Sequence, residues 1–177
     1  MLSLLVGHLE RHPEGVLLDV GPVCGNNIAF FASLVKKLYV HDLLRDLRQE
    51  RQKDRAARTI WQDFSYPSET FDAVQTWNLC DHLDDRDFSS FVELCASMMK
   101  PKGVLMLVAA SEARHPTTLN LYAIEEGMKL QVRPLSNVAP PFYHRHNRDL
   151  LDLMKPLRFV KSFIYQNGFR EFLFENP

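Results

Sequence analysis

The sequence predicts an α/β fold in which a largely parallel sheet carries helices on both faces and ends in an antiparallel hairpin. Short apolar runs alternate with helical stretches up to residue 109, which is the order of elements that builds a parallel sheet. Near the end of the chain, two aromatic-rich segments flank Asn167-Gly168, a dipeptide typical of tight hairpin turns. With 177 residues, the chain is expected to form a single domain over residues 1–177.

Strands and helices are predicted in strict alternation in the first part of the chain. The run Val16–Val20 is rich in Leu and Val and stops at Gly21, as expected of a strand that is buried on both faces. Further strands are expected at residues 38–41, 59–62, 71–76 and 104–109. Helices are expected between them, at residues 28–36, 45–58 and 85–99; the second is highly charged and the third is amphipathic.

The remainder of the chain departs from this alternation. Residues 111–146 contain four prolines and are expected to form an irregular insertion that can serve as a substrate lid, with a helix within residues 118–130. Asn147 is expected to cap a helix over residues 148–154. Residues 158–166 and 169–175 are expected to form the closing hairpin, whose aromatic side chains serve either the core or a homodimer edge.

The composition argues against several classes of protein. The 21 basic and 22 acidic residues give no electrostatic footprint for nucleic acid or for an anionic membrane. The three cysteines have no paired spacing, which argues against a disulfide framework and a zinc site, so a cytoplasmic location is expected. Residues 1–6 are too short for the apolar core of a signal peptide, and the apolar run at 104–110 is too short to span a membrane.

The segment after the first strand is the main candidate for a ligand site. Residues 17–27 read LLDVGPVCGNN, and Gly21 and Gly25 allow a ligand to approach the backbone closely, next to the free N–H groups of a helix start. Asp19 places a carboxylate just inside the end of the strand. A carboxylate suits an ammonium group better than a pyrophosphate, because like charges repel. The loop therefore favours S-adenosylmethionine over a dinucleotide.

Further candidate ligand residues follow the later strands. Asp42, with Leu43, ends the second strand about 20 residues beyond the loop, where an acid accepts the two hydroxyls of a ribose. Nicotinamide-binding domains share this spacing. Asp63 with Phe64 is placed to hold an adenine, and Trp77-Asn78 follow the strand at residues 71–76.

On these motifs the chain resembles the class I S-adenosylmethionine-dependent methyltransferases over residues 16–109, and again at the hairpin 158–175. The family's acidic-x-Gly loop, ribose acid and adenine acid are matched by Asp19, Gly21, Gly25, Asp42 and Asp63. Further matches are Phe71-Asp72-Ala73-Val74 through His82-Leu83, and Lys100-Pro101-Lys102-Gly103. The resemblance implies a Rossmann-like sheet of seven strands, the last antiparallel, with S-adenosylmethionine as cofactor and methyl transfer to an acceptor that the sequence does not identify.

Two positions depart from the family pattern. Val23, preceded by Pro22, stands where the family has a middle glycine, and a β-branched residue there narrows the approach to the backbone. Trp77 stands where the family often has a small or polar residue, and its ring can either wall the pocket or block it. These departures motivate a second hypothesis, a methyltransferase-like binding or scaffold module without catalysis. A third, a nicotinamide-dependent oxidoreductase, is opposed by the lack of a GxGxxG motif and by Asp19.

Other reactive side chains have a simpler interpretation. His82 is either a general base or, more in keeping with its position, a helix cap or packed group. Residues Tyr143, His144, Arg145 and His146 are interpreted as a polar loop that contacts substrate at the pocket mouth, since no third metal ligand is near them. No catalytic residue is assigned.

Overall fold

The chain folds around a six-stranded mixed sheet with helices against both faces. The computed structural model describes residues 1–52, 64–111, 119–136, 141–166 and 168–177, and of residues 50–52 and 136 the backbone alone. The helices are α1 (Leu2–Glu10), α2 (Gly25–Ala32), α3 (Leu43–Gln52), α4 (Asp85–Met98) and α5 (Asn147–Leu153). The strands are β1 (Val16–Val20), β2 (Lys37–His41), β3 (Phe71–Gln75), β4 (Met99–Ala110), β5 (Leu119–Glu125), β6 (Lys129–Ser136), β7 (Arg158–Ile164) and β8 (Phe169–Glu175).

The strand order of the sheet is β2-β1-β3-β4-β8-β7. β1 pairs in parallel with both β2 and β3, and β3 pairs in parallel with β4. β8 returns antiparallel between β4 and β7. The predicted fold class is confirmed: a largely parallel sheet that closes in an antiparallel hairpin. The strand expected at residues 59–62, the end of the charged helix and Asn167 lie outside the described residues.

Apolar side chains cover the sheet on both faces, as the continuous apolar character of its central strands requires. All five residues of β3 are buried. One face packs against α4, which buries Phe88, Phe91, Val92, Cys95 and Met98, the positions that its helical spacing predicts. The opposite face packs against α1, α2 and the hairpin of β5 and β6. Among the described helices, none has both the length and the apolar character needed to cross a membrane.

The insertion between β4 and α5 differs from the expected irregular segment with a helix. Residues 119–136 form an antiparallel β-hairpin, with Tyr122 opposite Val132 and Ile124 opposite Leu130. Its turn contains Gly127 at φ +72, a backbone angle that glycine adopts without strain. The helix prediction was wrong, because the apolar residues of this segment alternate with a period of two, the mark of a half-buried strand.

Two smaller corrections concern the ends of the chain. The first residues, expected only as a short apolar run, form the helix α1, whose Leu2, Leu5, Val6 and Leu9 fall at helical spacing and are buried. Asn147 begins α5 instead of capping it, and its side chain accepts a hydrogen bond from Arg170. In the closing hairpin, Phe172 and Phe174 of β8 serve the core, whereas side chains of the edge strand β7 stay largely exposed. The homodimer remains a prediction.

Candidate functional site

The candidate site lies where the carboxyl ends of three neighbouring strands meet. β1 lies between β2 and β3, so the residues that follow these strands come together at one edge of the sheet. In the strand register, Asp19 lies beside Val40 on one side and Gln75 on the other. The N–H of Gly21 donates to the carbonyl of His41 at 3.1 Å, which fastens the glycine loop to the end of β2. The parallel topology thus brings Asp19, Asp42 and Trp77 into one region.

The Asp19 carboxyl is already engaged by an indole. Trp77 Nε1 donates to Asp19 Oδ1 at 2.6 Å, and each residue is only 2% exposed. Burial raises the pKa of Asp19 to about 7; the hydrogen bond from Trp77 opposes this rise and the charge of Asp42 adds to it. The position that the sequence predicts for a ligand ammonium group is therefore occupied by the N–H of Trp77.

The same indole lies directly on Gly21. A Cβ at Gly21 would come within 2.4 Å of Trp77 Cδ1, so the missing side chain makes room for this ring. Trp77 has a φ of +45, which is strained for a bulky residue, and its ring stacks on Tyr122 with centroids 6.0 Å apart. In this conformation, Trp77 makes the close approach to the loop that a cofactor would make.

The Asp42 carboxylate, by contrast, borders open space. It is half-buried, and burial raises its pKa, whereas hydrogen bonds from the backbone of Arg45 and of Val23 lower it. The bond from Arg45 measures 3.0 Å to Oδ1. Asp42 lines a cavity of about 280 Å³ together with Arg45, Arg48 and Gln49 from α3 and with Leu119 and Leu135 from the hairpin. This carboxylate has the surroundings expected of a ligand group.

Val23, the departure from the family's middle glycine, does not fill the cleft. Its side chain is 58% exposed, while its backbone N–H supports the Asp42 carboxylate. The valine therefore leaves the loop free to hold Asp42. The obstruction near the loop comes from Trp77, not from the β-branched residue.

The other candidate residues divide between packing and open surface. Leu43 and Phe64 are fully buried in the core, and Phe64 packs against Phe91 with centroids 5.7 Å apart. Gly25 begins α2, and a Cβ there would meet no atom within 4 Å. Asp63 lies outside the described residues.

Two buried amides lie at the end of β3 without complete hydrogen bonding. Asn78 Nδ2 donates to His82 Nε2 at 3.0 Å, and within the described ranges Asn78 Oδ1 has no hydrogen-bond partner. The side-chain amide of the fully buried Gln75 is likewise unpaired among these residues. A buried polar group without a partner costs free energy, so a ligand that reached the end of β3 and bonded to these amides would recover part of that cost. Asn78 is a predicted site residue and Gln75 is not, although Gln75 is a polar residue at the end of an apolar strand, a pattern that could have indicated it.

His82 and Arg145 have structural roles. His82 is buried, and its Nδ1 donates to the carbonyl of Pro141 at 3.0 Å, in agreement with the packed-group interpretation. Arg145 was expected in a substrate loop, but it is buried, pairs with Asp85 and donates to the carbonyl of Leu83 at 2.7 Å. Its guanidinium donates to backbone carbonyls that have no backbone N–H as partner among the described residues, and it thereby anchors the loop before α5 to the core. Across the described part of the chain, no group of three or more His, Cys, Asp and Glu residues is placed to hold a metal ion.

Known proteins resemble this chain in fold, and one family model matches its sequence. The family model described as "Methyltransferase domain" matches residues 4–151. An S-adenosylmethionine-dependent methyltransferase from Mesorhizobium loti matches with a TM-score of 0.64 and 11% identity, over 98% of this chain and 96% of that one. The N-methyltransferase NodS from Bradyrhizobium japonicum, in complex with S-adenosyl-L-homocysteine, matches with a TM-score of 0.60 and 18% identity, over 99% and 86% of the two chains. An S-adenosylmethionine-dependent methyltransferase from Clostridium acetobutylicum matches with a TM-score of 0.62 and 12% identity, over 97% of this chain and 88% of that one. No curated protein matches the chain by sequence.

Proposed function

We propose, because this chain belongs to the methyltransferase domain family, that it transfers methyl groups from S-adenosylmethionine to an acceptor. Family membership confirms the resemblance that the sequence predicts. The observation that carries the proposal is the placement of two carboxylates, Asp19 and Asp42, at the ends of adjacent parallel strands on either side of the Gly21 loop.

The donors and acceptors of the site suit the cofactor in chemistry, and the cavity beside Asp42 supports this assignment. Asp42 can accept both ribose hydroxyls, because an ionised carboxylate has two oxygens with about four acceptor positions. The backbone N–H groups of Arg45 and Val23 hold it in place. Asp19 is the group for the ammonium end once the Trp77 indole has turned away from it. The adenine role of Asp63 and Phe64 stays a prediction, and burial of Phe64 gives it a packing role as well.

Bound S-adenosylmethionine would supply a methyl group that is already activated by its sulfonium charge. The chain then has to bind and orient the acceptor and to exclude water, so a strong general base is not required. This is consistent with the buried, packed state of His82.

A second candidate function is a binding module without catalysis, and Trp77 is the observation in its favour. Its ring covers Gly21 and its Nε1 already donates to Asp19 Oδ1. If that conformation is permanent, the methionine end of the cofactor has no place. The two candidates therefore differ in whether the wild-type chain binds the cofactor.

Calorimetric titration of the folded protein with S-adenosylmethionine and with S-adenosylhomocysteine tests the proposal. We expect binding of both, and an affinity for each that is weaker by about tenfold or more in Asp42→Asn, because the amide accepts hydroxyl hydrogens more weakly than a carboxylate. The matched control is Asp84→Asn. Asp84 also accepts a hydrogen bond from the backbone three residues on, at the start of α4, but lies away from the loop.

The outcomes separate the assignments. No heat at millimolar concentrations of either ligand would rule out the enzyme and leave the binding module. Binding with equal affinity in wild type and Asp42→Asn would overturn the ribose role of Asp42 while keeping the cofactor. An equal loss of ligand affinity in Asp84→Asn would show that the loss comes from a weakened helix cap and not from a lost contact with the ligand.

A further inference from the structure

A second cavity lies apart from Asp19 and Asp42, between α1, the end of β4, the start of β8 and the β5–β6 hairpin. Its volume is about 390 Å³, within the range of small-molecule sites. Its wall is mixed: Tyr122, Leu130, Val132 and Phe169 contribute apolar and aromatic surface, and polar atoms contribute about as much. These side chains come from elements far apart in the sequence, so the cavity is a product of the fold.

One wall of this cavity carries a carboxylate. Glu171 alternates along β8 with Arg170 and Phe172, and it therefore points to the cavity face of the sheet. It is only 6% exposed. The hydroxyl of Tyr165 donates to Glu171 Oε2 at 2.8 Å, and the Met1 nitrogen lies 3.0 Å from the same oxygen. Within the described part of the chain, no partner bonds to Glu171 Oε1.

Tyr165 is held as a permanent donor in this arrangement. Burial, together with the hydrogen bond and the charge of Glu171, raises the pKa of Tyr165 to about 12. Its hydroxyl thus stays protonated at neutral pH and keeps Oε2 satisfied. Glu171 Oε1 is then the acceptor left for a molecule in the cavity, because an ionised carboxylate accepts hydrogen bonds at both oxygens.

We propose that this cavity binds a small, ring-sized apolar molecule that carries one hydrogen-bond donor, with the donor directed at Glu171 Oε1. The apolar walls supply burial of the ring, and the carboxylate supplies a charge-assisted hydrogen bond that selects molecules with an O–H or N–H. A ligand that carries its own carboxylate is rejected at Glu171 Oε1, because two acceptor oxygens would meet there with no proton to share between them.

The proposal goes beyond the proposed function, because the cavity is lined by neither Asp19 nor Asp42 and the binding does not depend on methyl transfer. It can be tested without any cofactor. Absence of S-adenosylmethionine binding would leave it standing, and absence of binding in the cavity would leave the proposed function standing.

The test is calorimetric titration with four probes that share one ring: 4-ethylphenol, 4-ethylaniline, 4-ethylanisole and 4-ethylbenzoate. We expect the phenol and the aniline to bind, the ether, which has no donor, to bind about tenfold more weakly, and the benzoate not to bind. The phenol and aniline arms also tell which donor the site prefers. Equal affinities for phenol and ether, or binding of the benzoate alone, would overturn the proposal.

Two variants locate the binding. In Glu171→Gln the preference for phenol over ether should fall to about threefold or less, because the carboxylate charge is lost. Val132 lines the cavity but is partly exposed on the hairpin, so replacing it does not disturb the core. In Val132→Trp the larger side chain should fill the cavity and abolish binding of all probes. Glu93→Gln, on the exposed surface of α4, is the control for loss of one negative charge. Unchanged probe binding in both cavity variants would place the site elsewhere and refute the proposal.

Discussion

At the residue scale, the contacts of Trp77 join three parts of the molecule: the glycine loop through Gly21, the end of β1 through Asp19, and the hairpin through Tyr122. A bulky residue at positive φ is retained only where its surroundings hold it there. Its hydrogen bond to a buried carboxylate and its aromatic stack supply that restraint. The orientation of this one side chain decides whether the loop can admit a cofactor.

Replacing Trp77 distinguishes a pocket wall from a block. In Trp77→Phe a ring remains for Tyr122, but the N–H donor to Asp19 is lost, so a ligand ammonium group no longer competes with it. We expect about tenfold tighter binding of S-adenosylmethionine by calorimetry, and tighter still in Trp77→Ala, since a hydrogen bond to a charged group contributes about 1.5–3 kcal/mol. Weaker binding in both variants would show that the indole is part of the cofactor pocket.

The placement of the candidate residues was predictable, but their contacts were not. Asp19, Gly21 and Asp42 meet because parallel strands share one carboxyl edge, and that follows from the pattern of apolar runs. The position of Trp77 depends on a positive φ and on Tyr122, a residue 45 positions along the chain in an unrecognised strand. Neither is encoded in local sequence.

At the element scale, a single asparagine fastens α2 to the hairpin. Asn27 Nδ2 donates to the carbonyl of Tyr122 at 2.8 Å, and Asn27 Oδ1 accepts from the N–H of Ile124 at 2.8 Å. The side chain is fully buried and thus completes the hydrogen bonding of β5 on its open side. Asn27, the last residue of the loop motif at residues 17–27, therefore has a structural role.

Removing this side chain should loosen the hairpin. Asn27→Ala leaves two buried backbone groups without partners, so we expect a loss of roughly 2–4 kcal/mol in the free energy of unfolding, measured by urea denaturation. Faster amide exchange over residues 119–136 should accompany it. Asn26→Ala is the matched control, because Asn26 makes an exposed contact with Glu125 and should change stability by less than about 0.5 kcal/mol. Equal effects of the two variants would contradict the role of Asn27.

The elements that were predicted correctly from the sequence share one physical property, extensive burial. β1, β3 and α4 are buried over continuous runs or over one full helical face, so their patterns are strong and local. The hairpin was missed because only one of its faces is covered and its second strand contains Pro134, so its alternation is short and interrupted. α1 was missed because the nearly continuous apolar run at residues 1–6 masks the helical spacing of its buried side chains.

At the scale of the whole molecule, two buried carboxyls make stability depend on pH. Burial raises the pKa values of both Asp19 and Asp81 to about 7. The folded protein therefore holds these protons over a pH range in which the unfolded chain, with its ordinary value of 3.8, has released them. The corresponding stabilisation is fully present below pH 3.8 and is lost as the pH rises through about 7.

Asp19→Asn isolates one of these contributions. The amide oxygen can still accept from Trp77 Nε1 but does not titrate, whereas Asp81 titrates in both proteins and cancels in the comparison. Relative to the variant, the wild type should lose up to a few kcal/mol of unfolding free energy between about pH 4 and about pH 8, measured by urea denaturation at several pH values. Parallel pH profiles of the two proteins would show that Asp19 does not titrate in this range.

The ring of Tyr122 contacts two candidate sites: it lines the cavity beside Glu171, and it stacks on the Trp77 indole that covers Asp19 at the cofactor site. A molecule in the cavity that shifts this ring changes how freely the indole can leave the loop. The affinity of the cavity for its ligand and the affinity of the loop for the cofactor are then thermodynamically linked. By reciprocity, the factor by which a cavity ligand alters cofactor affinity must equal the factor by which the cofactor alters affinity for that ligand.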